Sequence, residues 1–110
     1  LKIKNLTVAA SGSIMSGGQN GTNGTNSCNA TYDGDGGGGG GGAGGSVRIY
    51  SYQTTNSGTI SALAGTMGNG ATGSTRRGGN GGNGSVGRIA IYYDNTISGT
   101  TNPAAYTLQF

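Results

Sequence analysis

Ser46-Val47-Arg48-Ile49-Tyr50-Ser51-Tyr52, closed by Ser57-Gly58-Thr59-Ile60-Ser61-Ala62, is the stretch that decides the fold class. Val47, Ile49 and Ser51 fall on one side of a period of two, and Arg48, Tyr50 and Tyr52 on the other. That is the pattern of a strand with one buried face. β-Branched and aromatic residues dominate it, as they do in strands. Immediately upstream lies Gly36 to Gly42, unbroken glycine. An apolar strand, a Ser-Gly turn, a second short strand and a glycine tract therefore form one unit.

The same arrangement recurs on either side. Ile3 is followed eight residues later by Ser11-Gly12-Ser13-Ile14, and Ile49 eight residues later by Ser57-Gly58-Thr59-Ile60. Ile89 is followed nine residues later by Ser98-Gly99-Thr100-Thr101, one residue slipped. Recurrence at a period of tens of residues is the mark of a repeat architecture. Aligning the three isoleucines gives units of about 1–45, 46–85 and 86–110 within a single module. Ile89, Ile91 and Tyr93 oppose Arg88, Ala90 and Tyr92, and Asp94-Asn95 reads as a turn after that strand. In the first unit the phase shifts between Ile3 and the Leu6/Val8 pair, which predicts a bulge near Asn5. No helical spacing is present, and glycine at this density penalises a helix by about 1 kcal/mol per residue. The expected class is all-β, with essentially no helix.

The connecting tracts carry a period of three. Asn20-Gly21-Thr22-Asn23-Gly24-Thr25-Asn26 and Gly78-Gly79-Asn80-Gly81-Gly82-Asn83-Gly84 both place asparagine at every third position. Three residues per turn is the repeat of the extended left-handed helix of the polyproline type. Chains without side chains can approach closely in that form and bond laterally through their backbones. Asparagine would then line one edge.

Composition narrows function. Of 110 residues, 27 are glycine and one is proline, so a collagen pattern is excluded. Histidine is absent and the acids are Asp33, Asp35 and Asp94 alone, which leaves no acid–base pair or activated nucleophile of the usual kinds. No catalytic or cofactor-binding residue is expected. Gly68-Asn69-Gly70-Ala71-Thr72-Gly73 matches a dinucleotide fingerprint in form, but nothing after it can start a helix. Asp33-Gly34-Asp35-Gly36 offers half of a calcium loop, without the glutamate or apolar anchor that completes one. It reads first as a solvated turn whose carboxylates titrate normally. The net charge of +3 comes from Lys2, Lys4, Arg48, Arg76, Arg77 and Arg88, dispersed along the chain. Arg76-Arg77-Gly78-Gly79 resembles an arginine-glycine RNA-binding tail but occurs once, and nucleic acid is not the expected partner. No run approaches the ~20 apolar residues of a membrane span.

Four glycosylation triplets are present, at Asn5, Asn20, Asn23 and Asn29. Cys28 stands alone and is a candidate for a disulfide to another subunit. Leu1-Lys2-Ile3-Lys4 shows no leader pattern, so a processed chain or a fragment is expected. Ile3, Leu6 and Val8 at one end, and Tyr106, Leu108 and Phe110 at the other, form the candidate joining strands for self-assembly.

Gly44-Gly45-Ser46-Val47-Arg48-Ile49 leading to Ser57-Gly58-Thr59-Ile60-Ser61-Ala62 resembles a unit of large glycine-rich secreted repeat proteins. So does Gly81-Gly82-Asn83-Gly84 leading into Gly87-Arg88-Ile89-Ala90-Ile91-Tyr92-Tyr93. Such units occur in bacterial surface proteins and in plant and algal glycine-rich proteins, and the glycine tracts are similar to those of phage tail-tip adhesins. The resemblance covers about residues 44–93. It implies a β-solenoid with polyglycine II-type connections, an extracellular location, and a structural or adhesive role. The expected function is a subunit of a fibre, filament or surface layer. The alternative is an adhesin whose glycine loops present Tyr32, Asn80 and Asn83 to a glycan. Thr22/Thr25 or Thr54/Thr55 suggest ice binding as a third reading.

Overall fold

Six strands are present in the computed structural model, which describes residues 2–27 and 33–110: β1 Lys2–Val8, β2 Ser13–Met15, β3 Ser46–Asn56, β4 Thr59–Ser61, β5 Arg88–Ser98 and β6 Tyr106–Gln109. No helix occurs among the described residues, so the chain is all-β. Every strand pair is parallel. Parallel neighbours need long crossovers, and residues 16–45 and 62–87, which hold the glycine tracts, provide them. Residue contacts divide the chain into two compact units, one of Leu1–Gly17, Gly44–Leu63 and Val86–Phe110 and the other of Gly18–Ala43 and Ala64–Ser85.

The first unit contains all six strands. Four form a sheet in the order β1-β3-β5-β6, and β2 pairs with β4. The β2/β4 pair is extended by Asn102, whose N–H donates to the Ile60 carbonyl (3.0 Å) and whose carbonyl accepts from Ala62 (2.9 Å). The core is Val8, Ile49, Ile60, Ala62, Ile89 and Ile91, with Leu6, Ile14, Val47, Ile97 and Ala105 packed against it. The alternation expected for β3 holds: Ile49 and Ser51 are buried, while Arg48, Tyr50 and Tyr52 are exposed. In the same strand Ser51 Oγ and Thr54 Oγ1 share a buried hydrogen bond of 2.6 Å.

Several register expectations are corrected. Ile14 does pair with Ile60, but Ile49 lies beside Ile91, Val47 beside Ile89, and Ile3 beside Ser51. Aligning on the first isoleucine failed because four residues join β1 to β2, whereas Ser57-Gly58 alone join β3 to β4. There is no bulge at Asn5. Ile3 and Leu6 sit beside Ser51 and Thr54, both buried, so β1 and β3 change phase together and keep one register throughout. The slip falls instead between β3 and β5, after the Ser51↔Tyr93 pair and before Gln53↔Thr96. Asp94-Asn95 thus lies within β5 at that irregularity and is not a strand-ending turn.

Asn56 closes the β3–β4 corner from inside. Its Nδ2 donates to the Thr100 carbonyl (2.6 Å), and its Oδ1 accepts from the Gly58 N–H (3.1 Å). Gly99 has a φ of 93°, and a Cβ there would meet the Asn56 carbonyl. Glycine is required at that point by conformation and by space.

The second unit contains four extended segments, residues 18–25, 35–42, 65–71 and 76–84, bonded at every third residue. Gly36, Gly39 and Gly42 donate to the carbonyls of Thr25, Thr22 and Gln19, so the second segment runs antiparallel to the first. Gly65, Gly68 and Ala71 donate to Gly42, Gly39 and Gly36, and Gly78, Gly81 and Gly84 donate to Ala71, Gly68 and Gly65. Parallel contacts complete the set: Gly21 and Gly24 donate to Thr66 and Asn69, and Gly38 and Gly41 to Gly79 and Gly82. The second and third segments therefore each bond to all three of the others.

That position explains five of the seven glycines in the tract. A Cβ on Gly38 or Gly41 would lie closer than 3.0 Å to the third segment's backbone, and one on Gly36, Gly39 or Gly42 would sit only 3.1–3.2 Å from the first. At Gly40 the nearest atom is the Gly82 carbonyl oxygen at 3.7 Å, an ordinary contact. Ala43 falls in this permissive register.

Two outcomes follow in a denaturation experiment. Ile49→Ala, which empties a fully buried site, is expected to cost about 2–5 kcal/mol. Gly40→Ala should leave stability unchanged or raise it by up to about 1 kcal/mol through loss of unfolded-state entropy, whereas Gly41→Ala should sharply lower it.

Candidate functional site

The third glycine segment shows what the asparagines do. Its N–H groups at Gly65, Gly68 and Ala71 bond to the second segment's backbone. The four between them meet asparagine side chains: Thr66 donates to Asn20 Oδ1 (2.9 Å), Asn69 to Asn23 (2.8 Å), Met67 to Asn83 (2.9 Å) and Gly70 to Asn80 (2.8 Å). Seven consecutive amides are thereby satisfied, by a rule of three. The adhesin alternative has Asn80 and Asn83 face a ligand; in the structure their amide oxygens accept backbone hydrogen bonds from Gly70 and Met67 within the unit. Asn20 and Asn23, two of the glycosylation candidates, use the same oxygens in the same way. Asn5 is an exposed residue on β1. Asn29, Cys28 and Tyr32 lie outside the described residues.

Asp35 is not the unshifted carboxylate that its glycine surroundings suggested. Oδ1 accepts from the Ser27 N–H (2.9 Å) and Oδ2 from the Ser74 N–H (2.7 Å). Its pKa is lowered, first by the Ser27 amide, against a desolvation effect and with help from the Ser74 and Gly73 groups. Hydrogen bonds to the charged form favour that form. Both oxygens of the carboxylate named as half of a calcium loop thus take backbone donors. Among the described residues, no group of three or more His, Cys, Asp or Glu is placed to hold a metal ion. Of the threonines considered for ice, Thr54 is buried against Ser51, and Thr22 and Thr25 are exposed.

The joining strands occupy the two ends of the four-stranded sheet, β1 at one edge and β6 at the other. Tyr106, Leu108 and Phe110 remain 60%, 45% and 67% exposed. Phe110 N–H donates to the Tyr93 carbonyl (3.0 Å). By the alternation of a strand, Tyr106 and Leu108 also turn their backbone groups toward β5, and Thr107 and Gln109 turn theirs away from the sheet. On the outward face Tyr50 stacks on Tyr92 with centroids 4.6 Å apart, and Tyr106 meets Tyr92 edge-on at 6.4 Å. A groove of about 340 Å³ runs beside them, lined by Lys2, Lys4, Tyr50, Tyr52, Asp94 and Phe110 among others.

Comparison with protein-family models, curated proteins and solved structures finds no match. The chemistry must be read from the geometry alone.

Asp35 supplies a pH test. A carboxyl whose folded pKa lies below its unfolded value stabilises fully above the ordinary aspartate range, and that contribution disappears as pH falls through the lowered value. The thermal midpoint of the native chain should therefore drop on acidification below the usual aspartate pKa. Asp35→Asn should start lower and show a flatter acid limb. Parallel curves for the two proteins would remove Asp35 from the stability of its turn.

Proposed function

We propose that this chain is a structural module of an extracellular fibre, filament or cell-surface layer, that its strands form a short β-solenoid with polyglycine II-type connections, and that copies join through the edges of its sheet. The observation that carries this reading is the pair of open edges. β1 and β6 end the same parallel sheet and run in the same direction. An edge strand offers a row of backbone donors and acceptors to another chain. When opposite edges of one sheet meet, the contact is head-to-tail, and a head-to-tail contact that does not close produces an open filament.

β6 suits this role. Tyr106–Gln109 carries no charge and no proline, the two devices that commonly block edge pairing. Strand addition would give affinity through the outward groups of Thr107 and Gln109, and specificity through Leu108 and Phe110. The module works without catalysis on this reading, since histidine is absent and each oxygen of Asp35 already takes a backbone hydrogen bond. The secreted location rests on the resemblance to glycine-rich repeat proteins and on the building role itself.

Thr107→Pro removes an outward N–H from β6 without removing a bond to β5. Electron microscopy and light scattering of the concentrated native chain should show filaments or growing oligomers. The Thr107→Pro chain should remain monomeric with an unchanged circular dichroism spectrum. Filaments of equal length from both proteins would sink edge-strand joining.

A further inference from the structure

The basic residues, dispersed in the sequence, are gathered by the sheet. Strand alternation sends Arg88, Arg48, Lys2 and Lys4 to the outward face, and all four are exposed. The register then orders them. Arg88 lies beside Ser46 on β3. Arg48 comes two residues further along β3, beside Ala90 and, through it, Tyr106. Lys2 comes two residues further again, on β1, beside Tyr50 and then Tyr92 and Leu108. Lys4 continues along β1. Each step from Arg88 to Arg48 to Lys2 is one strand across and two residues along, a diagonal of about 8 Å from ordinary strand spacing and rise. Four of the six basic side chains and one of the three acids, Asp94, share this face.

We propose that this face binds a linear acidic polysaccharide, with the carboxylates of a uronate chain lying along the Arg88–Arg48–Lys2–Lys4 diagonal. Charge complementarity selects a polyanion, and guanidinium and ammonium groups form charge-assisted hydrogen bonds to carboxylates. The packing of the tyrosines favours one kind of polyanion over another. Single-stranded nucleic acid binds where aromatic faces are open for bases to stack. Here Tyr50 and Tyr92 each cover one face of the other, with 10° between their planes, Tyr92 and Tyr106 meet edge-to-face, and Tyr52 is 46% exposed beside them. What such a row offers is ring edges and phenol hydroxyls, which suit the hydroxyl groups of a sugar. The groove beside Lys2, Lys4, Tyr52 and Phe110, about 340 Å³, falls within the roughly 300–1,000 Å³ of small-ligand sites. The site lies on the outward face of the sheet of one copy, with Lys2, Lys4 and Phe110 beside the proposed joining edges.

The test titrates the native chain with polygalacturonate at low ionic strength. Tyrosine fluorescence reports mainly on this face, because the chain has no tryptophan and four of its six tyrosines, Tyr50, Tyr52, Tyr92 and Tyr106, lie on it. Saturable binding is expected, weakened by salt, with no response to neutral dextran. Arg48→Gln/Arg88→Gln and, separately, Lys2→Gln/Lys4→Gln should each weaken it by about tenfold, while Arg77→Gln, off the sheet, should change it less than about twofold. Using two pairs keeps the test valid if one variant misfolds. No binding by the native chain, or an equal loss from Arg77→Gln, overturns the proposal. Tighter binding of an oligodeoxythymidylate than of polygalacturonate also overturns it, and would give the face to nucleic acid.

Discussion

Every buried backbone N–H and C=O must find a partner, and in this chain that obligation does more to shape the structure than apolar burial does. Leaving such a group unpaired away from water costs about 1–3 kcal/mol. With 27 glycines, little apolar surface is available to offset chain entropy. The second unit meets the obligation without an apolar cluster. Its segments approach closely enough for backbone to bond to backbone because the inward register is glycine apart from the small, buried Ala71. Asparagines at every third position then reach the amides that the lateral bonds leave over. Glycine gives proximity and asparagine completes the pairing, and the two repeat with the same period because one geometry demands both.

In the first unit the same obligation is met by parallel ladders over a small isoleucine core. Ile49, Ile60 and Ile91 are almost wholly inaccessible to water. Asn56, Ser51 and Thr54 show that buried polar groups are tolerated when paired with each other or with backbone. No buried side-chain nitrogen or oxygen among the described residues lacks a hydrogen bond. The ladders stop at β1 and β6, where strand backbone faces away from the sheet, and the proposed assembly follows from that unfinished pairing. The outward face of the sheet carries the other functional possibility, since parallel register converts residues about forty positions apart into neighbours.

Much of this was legible in the residues. Alternation in 46–52 and 88–93 marked the buried faces correctly, because a period of two is imposed by the strand itself. The three-residue spacing of Asn20/Asn23 and Asn80/Asn83 pointed to a regular bonded element, though its partner atoms could not be read. What failed was register. Matching isoleucine to isoleucine misplaced Ile3 and Ile89, because the corners that follow β1, β3 and β5 differ in length and composition does not encode it. The shared phase change of β1 and β3 looked like a bulge when β1 was read alone. Asp35 looked unpartnered because its donors come from outside its own loop, Ser27 eight residues before it and Ser74 thirty-nine after. The basic diagonal was invisible for the same reason: no window of sequence holds both Lys2 and Arg88.

The central claim is that the glycine segments are ordered by their own backbone bonds, and residue-resolved amide hydrogen exchange tests it most directly. The seven amides of residues 65–71 should all exchange slowly, since each has a partner, and Gly78, Gly81 and Gly84 should be slow with their neighbours fast, a pattern with a period of three. Uniform exchange at unstructured rates through 36–42, 65–71 and 78–84 would contradict the account and leave these tracts as flexible tethers.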